Sequence, residues 1–300
     1  IQGIERFEIL RSIDLRKSGV AGAVLRYLED TGHEIGKLSL RLGEKTPPIH
    51  GLRGLREIYV ETPSSTQDVD WSMFVKGELP KTLKRFSARN TYKGGIRASS
   101  EEVGFLYMGF IAELENLEEL EIVGFSQPQE GKDKEDQRER LDRILDDELL
   151  PLQTLLRDRP LYTPLEERSI ARNLKKLKII GTPMKNLFFL QDYERLRSLC
   201  LSDCEFNPLG GRLYVPFYEI LGSPKLQNCL EELILTNTHN LEDLSFLKGY
   251  KRLKKLVLTQ NFRPRIGPDP SWIPKGAEDL LINATVMSAG EYRRKYEIPD

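Results

Sequence analysis

The chain has 300 residues, 39% hydrophobic and 30% charged, enough to bury a sizeable core. Its 45 basic and 46 acidic side chains leave a formal net charge of -1, which excludes a bulk field drawing it to nucleic acid or anionic membrane; any such attraction has to be local. No stretch approaches the roughly 20 consecutive apolar residues of a bilayer span, and the opening IQGIERFEIL lacks the charged and apolar regions of a secretory signal.

The elements are set by one triad: an aliphatic residue, two others, an aliphatic, one other, an aliphatic. The last part alternates as a strand with one buried face does. The first triad is Leu10/Ile13/Leu15. After it, SGVAGAVLRYLEDTG places Val20, Val24, Leu25 and Leu28 on one helical face, with Gly32 as the stop. Triads then follow at Ile35/Leu38/Leu40, Leu55/Ile58/Val60, Leu83/Phe86/Ala88 and Leu117/Leu120/Ile122.

From about residue 126 to 170 the period breaks. SQPQEGKDKEDQRER is charged and poor in apolar residues, and Leu141, Ile144, Leu145, Leu149, Leu152 and Leu156 then recur at helical spacing. The expectation is a charged insertion with helices, Pro151 starting the second. Strict triads resume at Leu174/Leu177/Ile179, Leu196/Leu199/Leu201, Leu230/Leu233/Leu235, Leu253/Leu256/Leu258 and Ala277/Leu280/Ile282, with FNPLGGRLYVPFYEILGSPKLQN as a second inserted loop and helix. Residues 286–300 close the chain as a polar cap, Ser288 and Glu291 having the spacing of a capping box.

The central residues of the triads are separated by 25, 20, 28, 34, 57, 22, 34, 23 and 24 positions. Most of these steps fall in or near the range of about 20 to 29 residues of a leucine-rich repeat. The chain thus resembles the leucine-rich-repeat family, L-x-x-L-x-L-x-x-N/C-x-L, over nearly its whole length. Only Cys204 and Asn261 match the ninth position, which holds Thr182, Thr238 and Thr285 in other late repeats. More regular turns are therefore expected after residue 170. With its helix-backed first repeat, the chain is similar to ribonuclease-inhibitor-type and F-box-associated leucine-rich proteins. The resemblance implies an α/β solenoid of about ten irregular repeats, a curved horseshoe with a parallel sheet on its concave face and helices and loops on the convex one. Residues 1–300 form a single domain in this reading. Because the first residue is Ile, the chain is expected to be a piece of a longer protein.

Residues interleaved with the buried triad face the concave side. In the first four repeats they include Arg16, Lys37, Arg41, Tyr59, Arg85 and Arg89, relieved by Asp14, Glu57 and Glu61. In the later repeats they are Lys178 and Ile180, followed by the column Cys200, Ile234, Val257 and Leu281. The apolar column marks a contact surface, to be covered by a partner or by the chain's own tail or insertion. The basic set suits either a solubilising role or an acidic or phosphorylated peptide.

Phosphate-loop, dinucleotide, zinc-protease, hydrolase-elbow and EF-hand motifs are absent from the sequence. His33, His50 and His239 are scattered, and Cys200 and Cys204 lack companion zinc ligands nearby. The expectation is a binding module with no catalytic, cofactor or metal site. Three unclustered cysteines fit a reducing, intracellular compartment, cytoplasmic or nuclear. The resemblance implies a protein partner on the concave face, and first among its readings a substrate receptor of a cullin ubiquitin ligase, joined to a Skp-type adaptor through an F-box outside this sequence. A scaffold or regulatory subunit without a ligase link is the alternative. Membrane binding is not expected; nucleic-acid contact by the basic column is a third reading, opposed by the near-zero charge and the lack of aromatic interleaving beyond Tyr59.

Overall fold

The structure, a computed structural model, describes residues 9–19, 21–42, 49, 51–62, 79–90, 111, 114–124, 165, 168–182, 187–204, 217–236, 244–259, 271, 273–282 and 285–288. Residues 1–170 and 171–300 are two compact units. The helical spacing read at 141–156, the capping box beyond Ser288 and the ninth-position Asn261 lie outside the described residues.

The first unit carries β1 (Ile9–Asp14), β2 (Glu34–Arg41), β3 (Glu57–Thr62), β4 (Arg85–Asn90) and β5 (Glu119–Val123). Each pairs in parallel with the next. The register is set by the triads: Leu38, Ile58, Phe86 and Leu120 are aligned across the strands, and so are Leu40, Val60, Ala88 and Ile122. All eight are buried. A slip of one residue would turn these side chains out to solvent, so alternation fixes the pairing.

Helix α1 (Ala21–Thr31) returns the chain between β1 and β2, burying Val24, Leu25 and Leu28. It ends at Gly32, whose φ of 68° is left-handed backbone that glycine adopts without strain. Two backbone bonds close that end, Gly32 N–H to the Glu29 carbonyl and His33 N–H to the Leu28 carbonyl.

Helix α2 (Arg168–Asn173) begins in the first unit and leads into β6 (Lys176–Ile180) of the second, which is followed by β7 (Ser198–Ser202), β8 (Glu232–Thr236), β9 (Lys255–Thr259) and β10 (Asp279–Ile282). These strands are again parallel and in triad register. An antiparallel strand not anticipated from the sequence, β11 (Thr285–Ser288), pairs with β10 and ends the described chain.

The two residues between the first two leucines of each triad make the turn into the strand. A single carbonyl of the preceding coil accepts both of their N–H groups: Lys175 O takes Arg197 and Ser198, Arg197 O takes Glu231 and Glu232, and Glu231 O takes Lys254 and Lys255. The residue leaving the strand is left-handed at Gly124, Gly181 and Asp203, a conformation that Gly and Asp tolerate better than branched residues. One position further on, Cys204 donates through Sγ to the carbonyls of Ile179 (3.4 Å) and Ser202 (3.3 Å), and Thr182 donates through Oγ1 to Ile180 (3.2 Å). At these two ninth positions the side chain thus satisfies turn carbonyls.

The coil backs of the second unit depart from the helix-backed expectation. Phe188–Asp192 and Ser245–Gly249 are single 3₁₀ turns. With coil steps of 22 and 23 residues, little chain is left for an α-helix once strand and turns are made. Each turn carries an aromatic lock: Phe189 meets Tyr193 edge-on at 5.9 Å and Phe246 meets Tyr250 at 6.2 Å. Two short helices, α3 (Phe217–Leu221) and α4 (Pro224–Cys229), fill the longer coil, with Ser223 accepting from Leu226 N–H as the N-cap of α4.

Tyr250 is buried, and its hydroxyl donates to the Leu221 carbonyl at 2.7 Å. Burial pushes its phenol well above the ordinary range. Tyr250→Phe removes that donor and is expected to cost about 1–2 kcal/mol in urea unfolding, because the carbonyl loses its buried partner. A loss below about 0.3 kcal/mol would mean that this hydrogen bond carries no weight.

Candidate functional site

Pleating sends every second strand residue outward, so register converts the sequence into a map of two surfaces, one per unit. In the first unit, one outward row reads Lys37, Glu57, Arg85, Glu119. Charge alternates from strand to strand. Lys37 Nζ lies 3.7 Å from Glu57, and Arg85 reaches both Glu57 (3.2 Å) and Glu119 (2.6 Å).

The next row is Asp14, Ser39, Tyr59, Ser87, Glu121. Small serines flank Tyr59, and two guanidinium groups approach its ring, Arg16 at 5.1 Å and Arg89 at 5.9 Å from the centroid. Its hydroxyl donates to Glu61 Oε1 (3.1 Å), which also receives Arg16 Nη1 (3.0 Å). Arg89 lies 3.6 Å from Glu121.

The basic column read from the sequence is therefore interleaved with carboxylates. Arg16, Lys37, Arg41, Arg85 and Arg89 are balanced by Asp14, Glu57, Glu61, Glu119 and Glu121, and of these cations Arg41 alone lacks an ion pair among the described residues. A neutral ladder offers an acidic or phosphorylated peptide far less than an unpaired column would.

Arg16 also grips Asp14 through Nε (2.9 Å) and Nη2 (2.6 Å). Its hydrogen bonds hold the Asp14 carboxyl at about 2 against an ordinary 3.8. A depressed carboxylate contributes stability that is whole above the ordinary value and lost as pH falls through the folded one. The gap in Tm between wild type and Asp14→Asn is thus expected to be widest above about pH 4 and to close toward about pH 2. A pH-independent gap would show that the pair does not act through ionisation.

The second unit presents a different surface. One outer row, Lys176, Ser198, Glu232 and Lys255, is polar, and the other, Ile180, Ser202, Thr236 and Thr259, is polar apart from Ile180. Ser198 Oγ donates to Glu232 (2.5 Å), Lys255 pairs with Glu232 (2.7 Å), and the Thr236 and Thr259 hydroxyls are 3.1 Å apart. Burial raises the Glu232 pKa, but the Lys255 ammonium and Ser198 hydroxyl outweigh it and hold the carboxyl below its usual range.

Between these rows runs Lys178, Cys200, Ile234, Val257, Leu281, aligned by register on five adjacent strands. Cys200, Ile234 and Val257 are half-buried, while their chain neighbours Leu199, Leu201, Leu233, Leu235, Leu256 and Leu258 are fully inside. Burial acts on the two interior thiols: Cys204 is pushed up to about 12 and Cys229 is raised by the same cause.

Sequence reading missed the pairing of Glu119 and Glu121 with Arg85 and Arg89. It also missed the signature F-L-x-x-Y, repeated as Phe189–Tyr193 and Phe246–Tyr250 three residues ahead of a triad. Among the described residues there is no cluster of three or more metal-ligating side chains, and no helix is long and apolar enough to cross a membrane.

Parallel rungs in leucine register, strand-entry turns sharing one carbonyl and ninth-position side chains capping the exit turn define an α/β leucine-rich-repeat solenoid. No family model matches the chain, and no curated protein matches it. Among solved structures it is similar to an internalin (inlF) from Listeria monocytogenes, at 17% identity and a TM-score of 0.49, over 89% of this chain and 59% of that one. It is also similar to internalin C2 from the same organism (13% identity, TM-score 0.43, covering 82% and 86%) and to a leucine-rich-repeat protein from Leptospira interrogans (15%, 0.26, 87% and 75%). The chain spans less than two thirds of the first of these.

Proposed function

We propose that this chain is a protein-recognition module and that the outward face of β6 to β10 is its binding surface. The observation that carries the reading is the row Cys200, Ile234, Val257 and Leu281, apolar positions in register on neighbouring strands between two polar rows. Contiguous apolar surface rimmed by polar groups is the mark of a contact site. The ion-paired face of the first unit supports an ancillary role. Of the finer readings, the 3₁₀-backed coils favour a leucine-rich scaffold or regulatory subunit over a helix-backed F-box substrate receptor joined to a Skp-type adaptor and a cullin.

The test is affinity capture from native extract with wild type, an Ile234→Asp/Val257→Asp variant and an Arg41→Glu variant, all checked for folding. A partner on the apolar row is expected to bind the double variant at least about thirtyfold more weakly, equivalent to about 2 kcal/mol. A partner that survives the double variant and is lost from Arg41→Glu would move recognition to the charged face. A cullin or Skp-type adaptor recovered with the longer parent protein would restore the ligase reading.

A further inference from the structure

The charged ladder of the first unit has a symmetry of its own. Its row Lys37, Glu57, Arg85, Glu119 alternates in sign across neighbouring strands, β2 to β5. Taken from the other end, an even alternating row has every sign reversed, so the row is the complement of itself. Its pairs within the chain do not use it up. The side chains remain 47%, 33%, 43% and 26% exposed in that order, and each can also meet a charge from above.

Two copies of one sheet face can meet about a two-fold axis lying between them, and two settings of that axis keep the strands aligned. In the first, the axis runs along the strands between β3 and β4, which lays β2 over β5 of the second copy and β3 over its β4. Lys37 then faces Glu119 and Glu57 faces Arg85, each contact made twice. The row further along the strands agrees: Glu61 faces Arg89, and Arg41 faces Val123. No like charges meet among the described residues of β2 to β5.

In the second setting, the axis crosses the strands at the level of Tyr59 and lays each strand over its own copy. Lys37 would then face Arg41, Glu57 would face Glu61 and Arg85 would face Arg89. Like charges in contact are strongly unfavourable, so the pattern admits the first setting and rejects the second. It also favours a second copy over an unrelated protein. A neutral ladder exerts no net pull on an acidic or a basic surface, whereas the same ladder turned about matches it position by position.

We propose that the outward face of β2 to β5 is an isologous interface through which two copies of this chain associate, with their strands parallel and the axis between β3 and β4. From β2 to β5 is about 14 Å, so the contact is small, charged and sensitive to salt. The recognition row of the second unit takes no part in it.

The test is sedimentation velocity of the full chain over a concentration series. In low salt a reversible dimer is expected, with a dissociation constant on the order of 10 µM, since small charged interfaces are weak. In 1 M salt, where the screening length is about 3 Å, the chain should be monomeric. Glu57→Lys and Arg85→Glu should each weaken self-association at least about tenfold, because each sets like charges against one another across the axis. An equimolar mixture of the two variants should dimerise again, since both contacts of the mixed pair then join opposite charges. Lys37→Glu and Glu119→Lys replace them, by the same exchange, if either variant disturbs the thermal melt.

A wild-type chain that stays monomeric in low salt would overturn the interface. So would a dimer untouched by the charge reversals, or a pair of variants that does not dimerise on mixing. A dimer abolished by Ile234→Asp would move self-association to the second unit and overturn it as well.

Discussion

Leu233→Ala is expected to lower the free energy of unfolding by about 3 kcal/mol, within the range of about 2–5 for buried leucines, while Ile234→Ala next to it costs less than about 1 kcal/mol. The two residues are adjacent in β8 and similar in size. Leu233 is 0% exposed, in register between Leu199 and Leu256; Ile234 is half-buried on the other face between Cys200 and Val257. Truncating Leu233 leaves a cavity that its neighbours, themselves held by the sheet, cannot close. Truncating Ile234 takes atoms from a surface that solvent already reaches. Urea denaturation of both variants measures the contrast; equal losses would mean that β8 does not present one face to the core and the other outward.

Phe86→Ala should be the most damaging single change in the first unit, costing about 3–5 kcal/mol. Phe86 is 0% exposed, flanked in register by Ile58 and Leu120, and is one of the largest fully buried side chains among the described residues. Its neighbour Arg85 makes two ion pairs, yet Arg85→Ala is expected to cost less than about 1 kcal/mol, since its side chain is 43% exposed and surface pairs are screened. That smaller loss should shrink further in 1 M salt, where the screening length is about 3 Å, while the Phe86 loss persists. A reversal of this order would mean that the charged ladder, not the apolar core, holds the strands of the first unit together.

The difference between what could and could not be read from the sequence follows the range of the interactions. Alternation at Leu174, Leu177 and Ile179 is local, fixed by the pleat within one strand, so every triad residue whose burial is described is covered, Ile13 partly and the rest fully. The neutral ladder is not local. Glu57 lies between Lys37 and Arg85 because of pairings 20 and 28 residues apart, and only register brings them together. The 3₁₀ backs are legible in principle, since the 22- and 23-residue steps leave little room for a helix, but the helix after β1 sets a pattern that these coils do not follow. Strand β11 breaks the repeat itself: Thr285–Ser288 turns back along β10, and no triad announces it.

Cys200 offers the most direct measurement, because it stands in the apolar row, half-buried, while Cys204 and Cys229 are inside. Maleimide labelling of the folded chain, followed by peptide mapping, should modify Cys200 and spare the other two. Repeated on the complex recovered by affinity capture, the rate at Cys200 should fall at least tenfold, with Cys204 and Cys229 still unmodified. A rate unchanged in the complex would contradict the assignment of the β6 to β10 face as the recognition surface. No labelling of Cys200 in the chain alone would contradict it too, since the row would then be closed off before any partner arrives.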